Sequence, residues 1–492
     1  MRTLLLAALL FSGCATDPAV VETPAGAVRG SLDGQTRTFQ GIRYATAARW
    51  TAPKPAPAWK GVRDARKPGP MCPQVGSQYA QTASTNEDCL MLNVTAPRTA
   101  GSNRPVMVWV HGDGALGAGH FSDARLLAAK GVVVVTINYR LGVFSGFGHP
   151  GLSDGGTYGL QDQQEALRWV RRSIAAFGGD PGNVTLFGVS YGALAISGHL
   201  TAPASAGLFH RAVMMSGESM MDMPAGALAA GMPAAPSFWR TAAEAEGLGQ
   251  VYAKQLGCAD LACLRALPVE RILKVPQIMN VFQTYAHGNA VLPESPAAAL
   301  AAGRFHRMPV LAGATKDEHR LFTALEPPLT AASYAERLKA AFGEDAARVA
   351  RRYPAHPSPD LAWSRVMTDR MWARGTDAQN RALAEHVPVY GYEFADRDAP
   401  MFLPIEPRFD WGAYHAGDLP YLFPEPGVRF TPEQKRLSER MVGYWTTFAR
   451  TGTPNGPGLP AWPRLERGTQ SLAPDAIKRI DYAAEHNLAF WR

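Results

Sequence analysis

Nearly unbroken apolar runs of strand length recur along the chain and predict buried β-strands. They span residues 106–110, 131–137, 184–187, 212–215, 310–311 and 389–394. A strand that lacks polar alternation is buried on both faces, as in a parallel sheet covered by helices. The apolar pattern therefore predicts a large, mostly parallel central sheet.

Helical periodicity appears between these runs. Positions 160, 163, 167, 170, 174 and 177 fall on one helix face and are apolar except for Gln163, whereas Arg168, Arg171 and Arg172 fall on the other face, where we expect solvent. Strands that alternate with helices predict an α/β fold with helices on both faces of the sheet. The stretch 220–236, rich in alanine, glycine and proline, is expected to be an irregular excursion within the same domain.

A nucleophile motif follows one of the predicted strands. Gly188-Val189-Ser190-Tyr191-Gly192 comes after the run 184–187 and before the helix-compatible stretch 193–200. This is the G-x-S-x-G elbow in its required context of strand, sharp turn and helix. A serine nucleophile needs a histidine to accept its proton and a carboxylate to orient that histidine. From the residues alone, any of the twelve histidines could be the base.

A second glycine motif supports a rival interpretation. Residues 112–117 read GDGALG and satisfy the G-x-G-x-x-G pattern of NAD-binding oxidoreductases after a strand. That fingerprint also needs an acidic residue about 20 positions further on to bind the ribose hydroxyls. The next predicted strand ends instead at Ile137-Asn138-Tyr139. We therefore do not expect NAD, and we expect no other cofactor. We also expect no metal, because the sequence has no His-Glu-x-x-His motif and no paired C-x-x-C.

Composition and charge define the class of protein. The 492 residues are 46% hydrophobic and 18% charged, which indicates a folded globular protein with a large core. The formal net charge is +7, without a run of like charges. Since nucleic-acid binding needs a concentrated basic stripe, we expect no nucleic-acid partner.

The amino terminus resembles a secretory signal. One basic residue, Arg2, precedes the apolar run 4–11 and the small residues Ser12-Gly13 before Cys14. The run is too short to span a bilayer. Small residues before a cysteine resemble the lipobox of bacterial lipoproteins, although Phe11 stands where leucine is usual. The prediction is a signal peptide over residues 1–13, with Cys14 as the lipidated first mature residue, followed by a single catalytic domain over 20–492. The alternative is ordinary signal cleavage nearby, which leaves Cys14 a plain thiol.

Segments spread over most of the chain resemble the type-B carboxylesterases, the family that includes the cholinesterases. They are GIRYA at 41–45, NEDCL at 86–90, LNV at 92–94, NYRLGVF at 138–144, GLQDQ at 159–163, AAFGGDPGNVTLFG at 175–188 and TPN at 453–455. The resemblance implies an α/β-hydrolase fold and a serine carboxylesterase that acts on a small-molecule ester through an acyl-enzyme. A non-catalytic binding protein of the same superfamily is the alternative, as is a hydrolase of amides, carbamates or lactones.

The resemblance also implies the partners of Ser190. The family acid lies in a Gly-x-x-x-Asp-Glu segment, which here is 313–318 and makes Glu318 the acid. Without the resemblance, Asp317 could take that role. The family histidine precedes a segment that corresponds to residues 418–423 (DLPYLF), which makes His415 the base. His319 replaces a family glycine and is expected to be a surface or hydrogen-bonded residue.

The predicted oxyanion hole departs from the family pattern. The family has His-Gly-Gly-Gly after a strand, and this chain has His111-Gly112-Asp113-Gly114. The resemblance implies that the backbone N–H groups of Asp113, Gly114 and Tyr191 bind the oxyanion. We expect the Asp113 carboxylate to point away from the developing charge, and Tyr191, where the family has alanine, to narrow or reshape the pocket.

Two further residues are expected to support the site. Ser216 matches a family serine that supports the acid, although a buried serine that satisfies backbone groups fits its sequence equally well. His111 is expected to hold the oxyanion loop in shape.

Val189 replaces a family acidic residue, and the loop between Cys72 and Cys89 contains Tyr79 but no tryptophan. Choline esters are therefore disfavoured, and small to medium neutral esters are expected.

The five cysteines fit the resemblance. The family pattern pairs Cys72 with Cys89 and Cys258 with Cys263, and Cys14 remains as the candidate lipid attachment point. Four cysteines alone would allow three pairings. Oxidised pairs imply an exported protein, either periplasmic or held at a membrane by lipid, and otherwise secreted.

Overall fold

The computed structural model describes residues 17–77, 82–99, 101–406, 408–474 and 476–491. The predicted signal segment with Cys14 and the loop residue Tyr79 lie outside these residues.

Strands are distributed from one end of the described chain to the other. They are β1 (Val20–Thr23), β2 (Gly26–Arg29), β3 (Ser31–Leu32), β4 (Thr36–Arg43), β5 (Ala45–Thr46), β6 (Lys54–Pro55), β7 (Val62–Asp64), β8 (Met91–Pro97), β9 (Arg104–Val110), β10 (Val133–Ile137), β11 (Gly179–Val189), β12 (Arg211–Met215), β13 (Arg240–Thr241), β14 (Ala286–His287), β15 (Val310–Thr315), β16 (Val389–Phe394), β17 (Thr469–Leu472) and β18 (Lys478–Ile480).

Helices fill most of the connections between strands. The α-helices are α1 (Arg125–Ala128), α2 (Gly142–Gly146), α3 (Tyr158–Ser173), α4 (Tyr191–Thr201), α5 (Ala242–Gln255), α6 (Leu261–Ala266), α7 (Val269–Leu273), α8 (Ile278–Val281), α9 (Pro296–Ala301), α10 (Arg320–Ala324), α11 (Ala331–Phe342), α12 (Ala346–Arg352), α13 (Pro359–Met367), α14 (Arg374–Ala384), α15 (Pro432–Thr451) and α16 (Tyr482–Glu485). A π-helical segment, Thr368–Ala373, joins α13 to α14. Short 3₁₀ segments are Gly119–Phe121, Ile174–Phe177, Pro203–Ser205, Gly343–Asp345, Leu419–Tyr421, Leu465–Arg467 and Leu488–Trp491.

One 11-stranded sheet organises the molecule, in the order β18-β17-β16-β15-β12-β11-β9-β10-β8-β4-β3. The pairs from β17 to β10 are parallel, whereas β18, β8, β4 and β3 join antiparallel at the two edges. Two-stranded and three-stranded sheets made from the remaining strands lie outside it. This arrangement confirms the predicted large, mostly parallel central sheet.

The core lies on both faces of this sheet. On β9, Val106, Val108 and Val110 belong to one hydrophobic cluster together with residues of α3 and α4. The alternating residues Met107 and Trp109 belong to a second cluster together with residues of α15. Side chains of a strand alternate between the two faces of a sheet, so both faces of β9 are buried. The continuous apolar runs of the sequence therefore correspond to strands covered on both sides.

The predicted runs became β9, β10, β11, β12, β15 and β16. Two strands are clearly longer than predicted: β11 begins five residues before its run, at Gly179, and β15 extends four residues beyond its run, to Thr315. The added residues of β15 include Gly313, where a Cβ atom would lie 2.2 Å from the carbonyl oxygen of Tyr392. The apolar pattern missed this end of β15 because the extension contains a glycine, which close packing between strands favours here.

The predicted amphipathic helix is also present. It forms α3 and the 3₁₀ turn that follows, and Arg171 and Arg172 on its polar face are exposed, as expected. The stretch 220–236 is irregular apart from one β-bridge between Met223 and Ala235. None of the helices in the described ranges is long and apolar enough to cross a bilayer.

Candidate active site

Ser190 lies in the sharp turn between β11 and α4. Its backbone has φ 54° and ψ −122°, a conformation that a non-glycine residue keeps only where its surroundings hold it. The Ser190 N–H donates to the Met215 carbonyl oxygen at 2.8 Å. Close packing requires the flanking glycines, because a Cβ atom at Gly188 or Gly192 would lie 2.6 or 2.1 Å from the Val110 carbonyl oxygen. The turn therefore presents a partly buried serine at the carboxyl edge of the sheet.

A carboxylate and an imidazole meet at the same edge. Glu318 follows β15 and His415 follows β16, and the Glu318 Oε2 atom lies 2.5 Å from His415 Nδ1. The other oxygen, Oε1, accepts the Thr315 N–H at 2.7 Å. Both side chains are buried. A neutral His415 that donates its Nδ1–H to Glu318 keeps Nε2 as its basic nitrogen.

Strand order explains why residues so distant in sequence meet. In the sheet, β11, β12, β15 and β16 are consecutive parallel neighbours, so their carboxyl ends lie along one edge. The structure brings Glu318 and His415 into a hydrogen bond. It places Ser190 at the same edge without a hydrogen bond to His415 in the described part of the chain.

Two more buried carboxyl groups surround Glu318. Burial, and after it repulsion by Glu318, raises the pKa of Glu218 well above its usual range and that of Asp418 to about 7. The Tyr392 hydroxyl donates to Asp418 Oδ2 at 3.2 Å. Burial therefore disfavours the charged form of both neighbours, which reduces the negative charge close to Glu318. The sequence had indicated Asp418 only as part of a family segment, and it had not indicated Glu218.

The predicted oxyanion loop lies next to Ser190, because β9 and β11 are parallel neighbours. A Cβ atom at Gly112 would lie 3.2 Å from Ser190 Cβ. Asp113 has φ 69°, and the Gly114 N–H donates to the Gly112 carbonyl oxygen at 3.0 Å, which forms a γ-turn. Asp113 Oδ1 accepts the N–H groups of Ala115 (2.8 Å) and Leu116 (3.1 Å). The carboxylate is thus engaged with the backbone that follows it in the loop.

The side chain of Tyr191 packs beneath this loop. A Cβ atom at Gly114 would lie 2.8 Å from the Tyr191 ring, and the ring centroid lies 5.1 Å from that of Tyr285. The side chain is buried. The Tyr191 side chain therefore packs against this loop, and its backbone begins α4.

His111 makes its contacts with the same loop. Its Nδ1 lies 3.0 Å from the Gly112 carbonyl oxygen, and its ring stacks on Tyr139 at 4.4 Å. The Tyr139 hydroxyl donates to the His111 carbonyl oxygen at 2.7 Å. Burial lowers the pKa of His111 to about 4. A neutral, stacked imidazole is suited to support the loop.

Two other predicted residues, Ser216 and His319, are both buried. Ser216 is buried with φ 50°, and its N–H donates to the Gly313 carbonyl oxygen. Its hydroxyl forms no hydrogen bond with any described residue, so neither bond expected of it is present. His319 is buried and its Nδ1 accepts the indole N–H of Trp372 at 3.2 Å. The surface alternative for His319 is wrong, because the aromatic side chains around it exclude solvent.

Both disulfides that the resemblance implied are present, Cys72–Cys89 and Cys258–Cys263. The Cys72–Cys89 loop is bonded to the oxyanion loop, because Gln74 donates to the Gly117 carbonyl oxygen at 3.1 Å and accepts the Gly117 N–H at 2.8 Å. Disulfides indicate a protein that folds outside the reducing cytosol.

A cavity of about 490 Å³ opens beside these two loops. Its lining residues have no charged side chain among those that the structure describes and comprise 75–77 of the disulfide loop, Ala115, Leu116, Leu273 and 275–280. Apolar side chains such as Leu116 and Met279 line it together with the amides of Gln277 and Asn280. The cavity can accommodate an uncharged group with a few polar atoms.

The GDGALG stretch at 112–117 does not open an α-helix. The G-x-G-x-x-G stretch is followed by the short 3₁₀ turn Gly119–Phe121 and not by a helix whose N-terminus could bind a pyrophosphate. Within the described ranges, no group of three or more His, Cys, Asp or Glu side chains could hold a metal ion.

The sequence did not predict one buried charged pair, Arg140 and Asp162. The Arg140 guanidinium contacts both carboxylate oxygens of Asp162, at 2.8 and 2.7 Å. Both residues lie inside segments that carry the family resemblance, and that position is the only sequence signal for them. The pair ties the loop after β10 to α3.

The chain is similar to known proteins over nearly its whole length. The family model described as "Carboxylesterase family" matches residues 17–491. The para-nitrobenzyl esterase of Bacillus subtilis (strain 168) is 35% identical over 480 residues, which cover 92% of this chain and 93% of that protein. The fumonisin B1 esterase of Sphingopyxis macrogoltabida is 33% identical over 498 residues, with coverages of 92% and 85%.

Solved structures agree with these matches. A PNB esterase structure superimposes with a TM-score of 0.79 at 33% identity, covering 96% of this chain and 100% of that chain. A thermophilic PNB esterase gives a TM-score of 0.78 at 32% identity. The fold is therefore the α/β-hydrolase fold that the resemblance implied.

Proposed function

The chain belongs to the carboxylesterase family and is a carboxylic ester hydrolase, and from this we propose that it cleaves neutral esters through an acyl-enzyme on Ser190. The Ser190 hydroxyl attacks the ester carbonyl carbon while its proton moves to His415 Nε2. Collapse of the tetrahedral intermediate breaks the bond to the alcohol, which takes that proton. Water then attacks the acyl-enzyme in the same way, with its proton passing to His415, and the carboxylic acid leaves Ser190.

One observation carries this proposal: the 2.5 Å contact between Glu318 and His415 at the sheet edge that also carries Ser190. Glu318 would hold His415 in the tautomer with a basic Nε2 and stabilise the imidazolium that forms. The absence of a Ser190–His415 bond is compatible with this role, because catalytic hydrogen bonds often form only when substrate is bound.

The backbone N–H groups of Asp113, Gly114 and Tyr191 would bind the oxyanion. The Gly114 N–H must then leave the Gly112 carbonyl oxygen or share itself with the oxyanion. The engagement of the Asp113 carboxylate with the amides of Ala115 and Leu116 supports an orientation away from the developing charge. His111, stacked on Tyr139, would support the loop.

Uncharged, small to medium esters fit the surroundings best. The 490 Å³ cavity beside the oxyanion loop has no charged lining residue in the described chain, and Val189 provides no anionic partner for a cationic alcohol.

The domain and its export belong to the same proposal. Residues 20–492 would form one catalytic domain, since β3 near the amino end and β18 near the carboxyl end join the same sheet. Residues 1–13 would direct export and Cys14 would carry lipid, which mass spectrometry of the protein from its native host would detect. A free, unmodified Cys14 would contradict the anchor.

A hydrolysis panel tests the proposed reaction. Wild-type protein and Ser190→Ala are assayed with p-nitrophenyl esters graded by acyl length, with a choline ester, and with an amide, a carbamate and a lactone. We expect turnover of neutral esters and a loss of about 10⁵-fold or more in Ser190→Ala. Retained turnover in Ser190→Ala would contradict the nucleophile, and activity restricted to the charged ester would contradict the substrate class.

Asp113→Gly tests the orientation of the carboxylate. If the side chain points away from the oxyanion, restoring the family glycine changes kcat by less than about tenfold. A rise of about 100-fold or more would show that the carboxylate repels the oxyanion. Circular dichroism of the variant would serve as the control for folding.

A further inference from the structure

His319 directly follows the proposed triad acid, and the reaction sequence above does not use it. Its side chain is about 1% exposed. Two hydrogen bonds join His319 to the π-helical segment. Its backbone N–H donates to Thr368 Oγ1 at 3.1 Å, and its ring nitrogen Nδ1 accepts the Trp372 indole N–H at 3.2 Å. π-Helical segments often occur at functional sites. The acid loop and this segment are thereby bonded through one residue.

Trp372 in turn contacts the proposed base. The ring of His415 lies 4.9 Å from the ring of Trp372 and 5.0 Å from that of Phe322. Phe322 stacks on Trp372 at 5.4 Å and on His319 at 5.4 Å. The four rings of His319, Phe322, Trp372 and His415 form one contiguous group, which we name the aromatic cluster.

The chemistry of His319 suits an acceptor. Burial lowers its pKa to about 3, although a hydrogen bond with the Ala227 backbone opposes that shift. The ring is therefore neutral at physiological pH, and an Nδ1 lone pair is available to the indole N–H of Trp372. Glycine, the family residue at this position, has no side-chain acceptor.

We propose that His319 is a positioning residue, which holds Trp372 against His415 and so keeps the imidazole in its reactive orientation. The Glu318 contact restrains one atom of His415, Nδ1, and leaves the ring free to tilt about that bond. The rings of Trp372 and Phe322, with centroids 4.9 and 5.0 Å from that of His415, restrict this tilt and, through their π-electrons, favour the imidazolium that forms during acyl transfer. The inference rests on the proposed function.

The experiment compares wild type, His319→Ala, His319→Asn and Trp372→Phe with a neutral p-nitrophenyl ester. We expect kcat to fall about tenfold in His319→Ala with KM within about twofold of wild type. Trp372→Phe keeps an aromatic face but lacks the indole N–H, so it should fall similarly. In His319→Asn the Oδ1 atom stands near the place of Nδ1 and should restore most of kcat.

A second readout separates positioning from a purely structural role. The acid limb of kcat/KM should move about half a pH unit lower in His319→Ala, because a displaced Trp372 ring no longer favours the charged imidazole. Among the described residues, Glu318 bonds to His415, and Asp418 and His319 interact with it electrostatically. His319→Asn keeps the acceptor and removes the titratable ring, so its acid limb should match that of wild type.

The outcomes distinguish the two proposals. Unchanged kcat and pH profile in folded His319→Ala would overturn the positioning role while wild-type turnover still supports the esterase. Loss of thermal stability without a change in kcat would also overturn it. If His319→Ala fails to fold, Trp372→Phe decides the question alone. Retained turnover in Ser190→Ala would refute the proposed nucleophile and with it the basis for the inference.

Discussion

Two buried histidines, His415 and His486, both bond to carboxylates, but they differ in what their second ring nitrogen does. His415 contacts Glu318 through Nδ1, and its Nε2 makes no protein hydrogen bond in the described chain. His486 is held at both nitrogens: Nδ1 lies 2.9 Å from Asp369 and Nε2 lies 2.7 Å from Glu393. Burial alone would lower the pKa of His486, but the bonds to these two carboxylates raise it to about 9.

The difference shows what makes a buried histidine chemically useful. An imidazole with one nitrogen oriented and the other available can take and return a proton. An imidazole clamped between two carboxylates stays charged and acts as a link. His486 joins the carboxyl-terminal segment to β16 and to the π-helical segment, and Lys316 bonds to the same Glu393 at 3.0 Å. We therefore expect the region of His415 to serve the proposed chemistry and the region of His486 to serve stability.

The strongest test exchanges the base. His415→Gln should lower kcat about 10⁵-fold, because no group remains to accept the Ser190 proton. Its thermal unfolding should stay close to that of wild type. Steady-state kinetics with a p-nitrophenyl ester and differential scanning calorimetry measure the two quantities. A variant that keeps even a tenth of the activity would remove His415 from the mechanism.

The orienting carboxylate should give the next largest effect. In Glu318→Gln the amide can donate to His415 Nδ1, which places the proton on Nε2 and removes the basic nitrogen. We expect a loss of about 10⁴-fold in kcat. Asp369→Asn, which changes a carboxylate bonded to His486, is the matched control and should lose less than about threefold in kcat. Equal losses in the two variants would abolish the distinction between the regions.

His486→Gln should produce the reverse pattern. Removing the cation leaves Asp369 and Glu393 buried with less compensation, and breaking such a buried pair costs about 3–5 kcal/mol. Urea unfolding should show this loss of stability. Activity under folding conditions should remain within about threefold of wild type. A large fall in kcat without a change in unfolding free energy would mean that His486 contributes to the chemistry.

The pH dependence of stability gives the smallest effect. The folded-state pKa of His486 is raised, so its contribution is fully present below the unfolded pKa of about 6.5 and is lost as pH rises through about 9. Between these values wild type should lose about 3 kcal/mol more than His486→Gln. Unfolding free energies measured from pH 6 to pH 10 compare the two proteins. Parallel curves would show that His486 is not charged in the folded state.

Part of this comparison was within reach of the sequence. The strand-elbow-helix context predicted Ser190 as the nucleophile, and the family resemblance predicted Glu318 and His415 as its partners. Nothing identified His486, whose partners lie 117 and 93 residues away and which stands in no motif. The contact between His319 and Trp372, 53 residues apart, escaped for the same reason, and the sequence left His319 open between a surface and a hydrogen-bonded role.

The sequence by itself determined the parallel sheet, the amphipathic helix and the serine turn, because each depends on side chains close together along the chain. Periodicity and glycine spacing record burial and sharp turns locally. Only the tertiary structure decided which ring nitrogens of His415 and His486 are engaged and what surrounds His415. Those properties depend on neighbours that strand order brings together from distant segments, and on burial that lowers or raises each pKa.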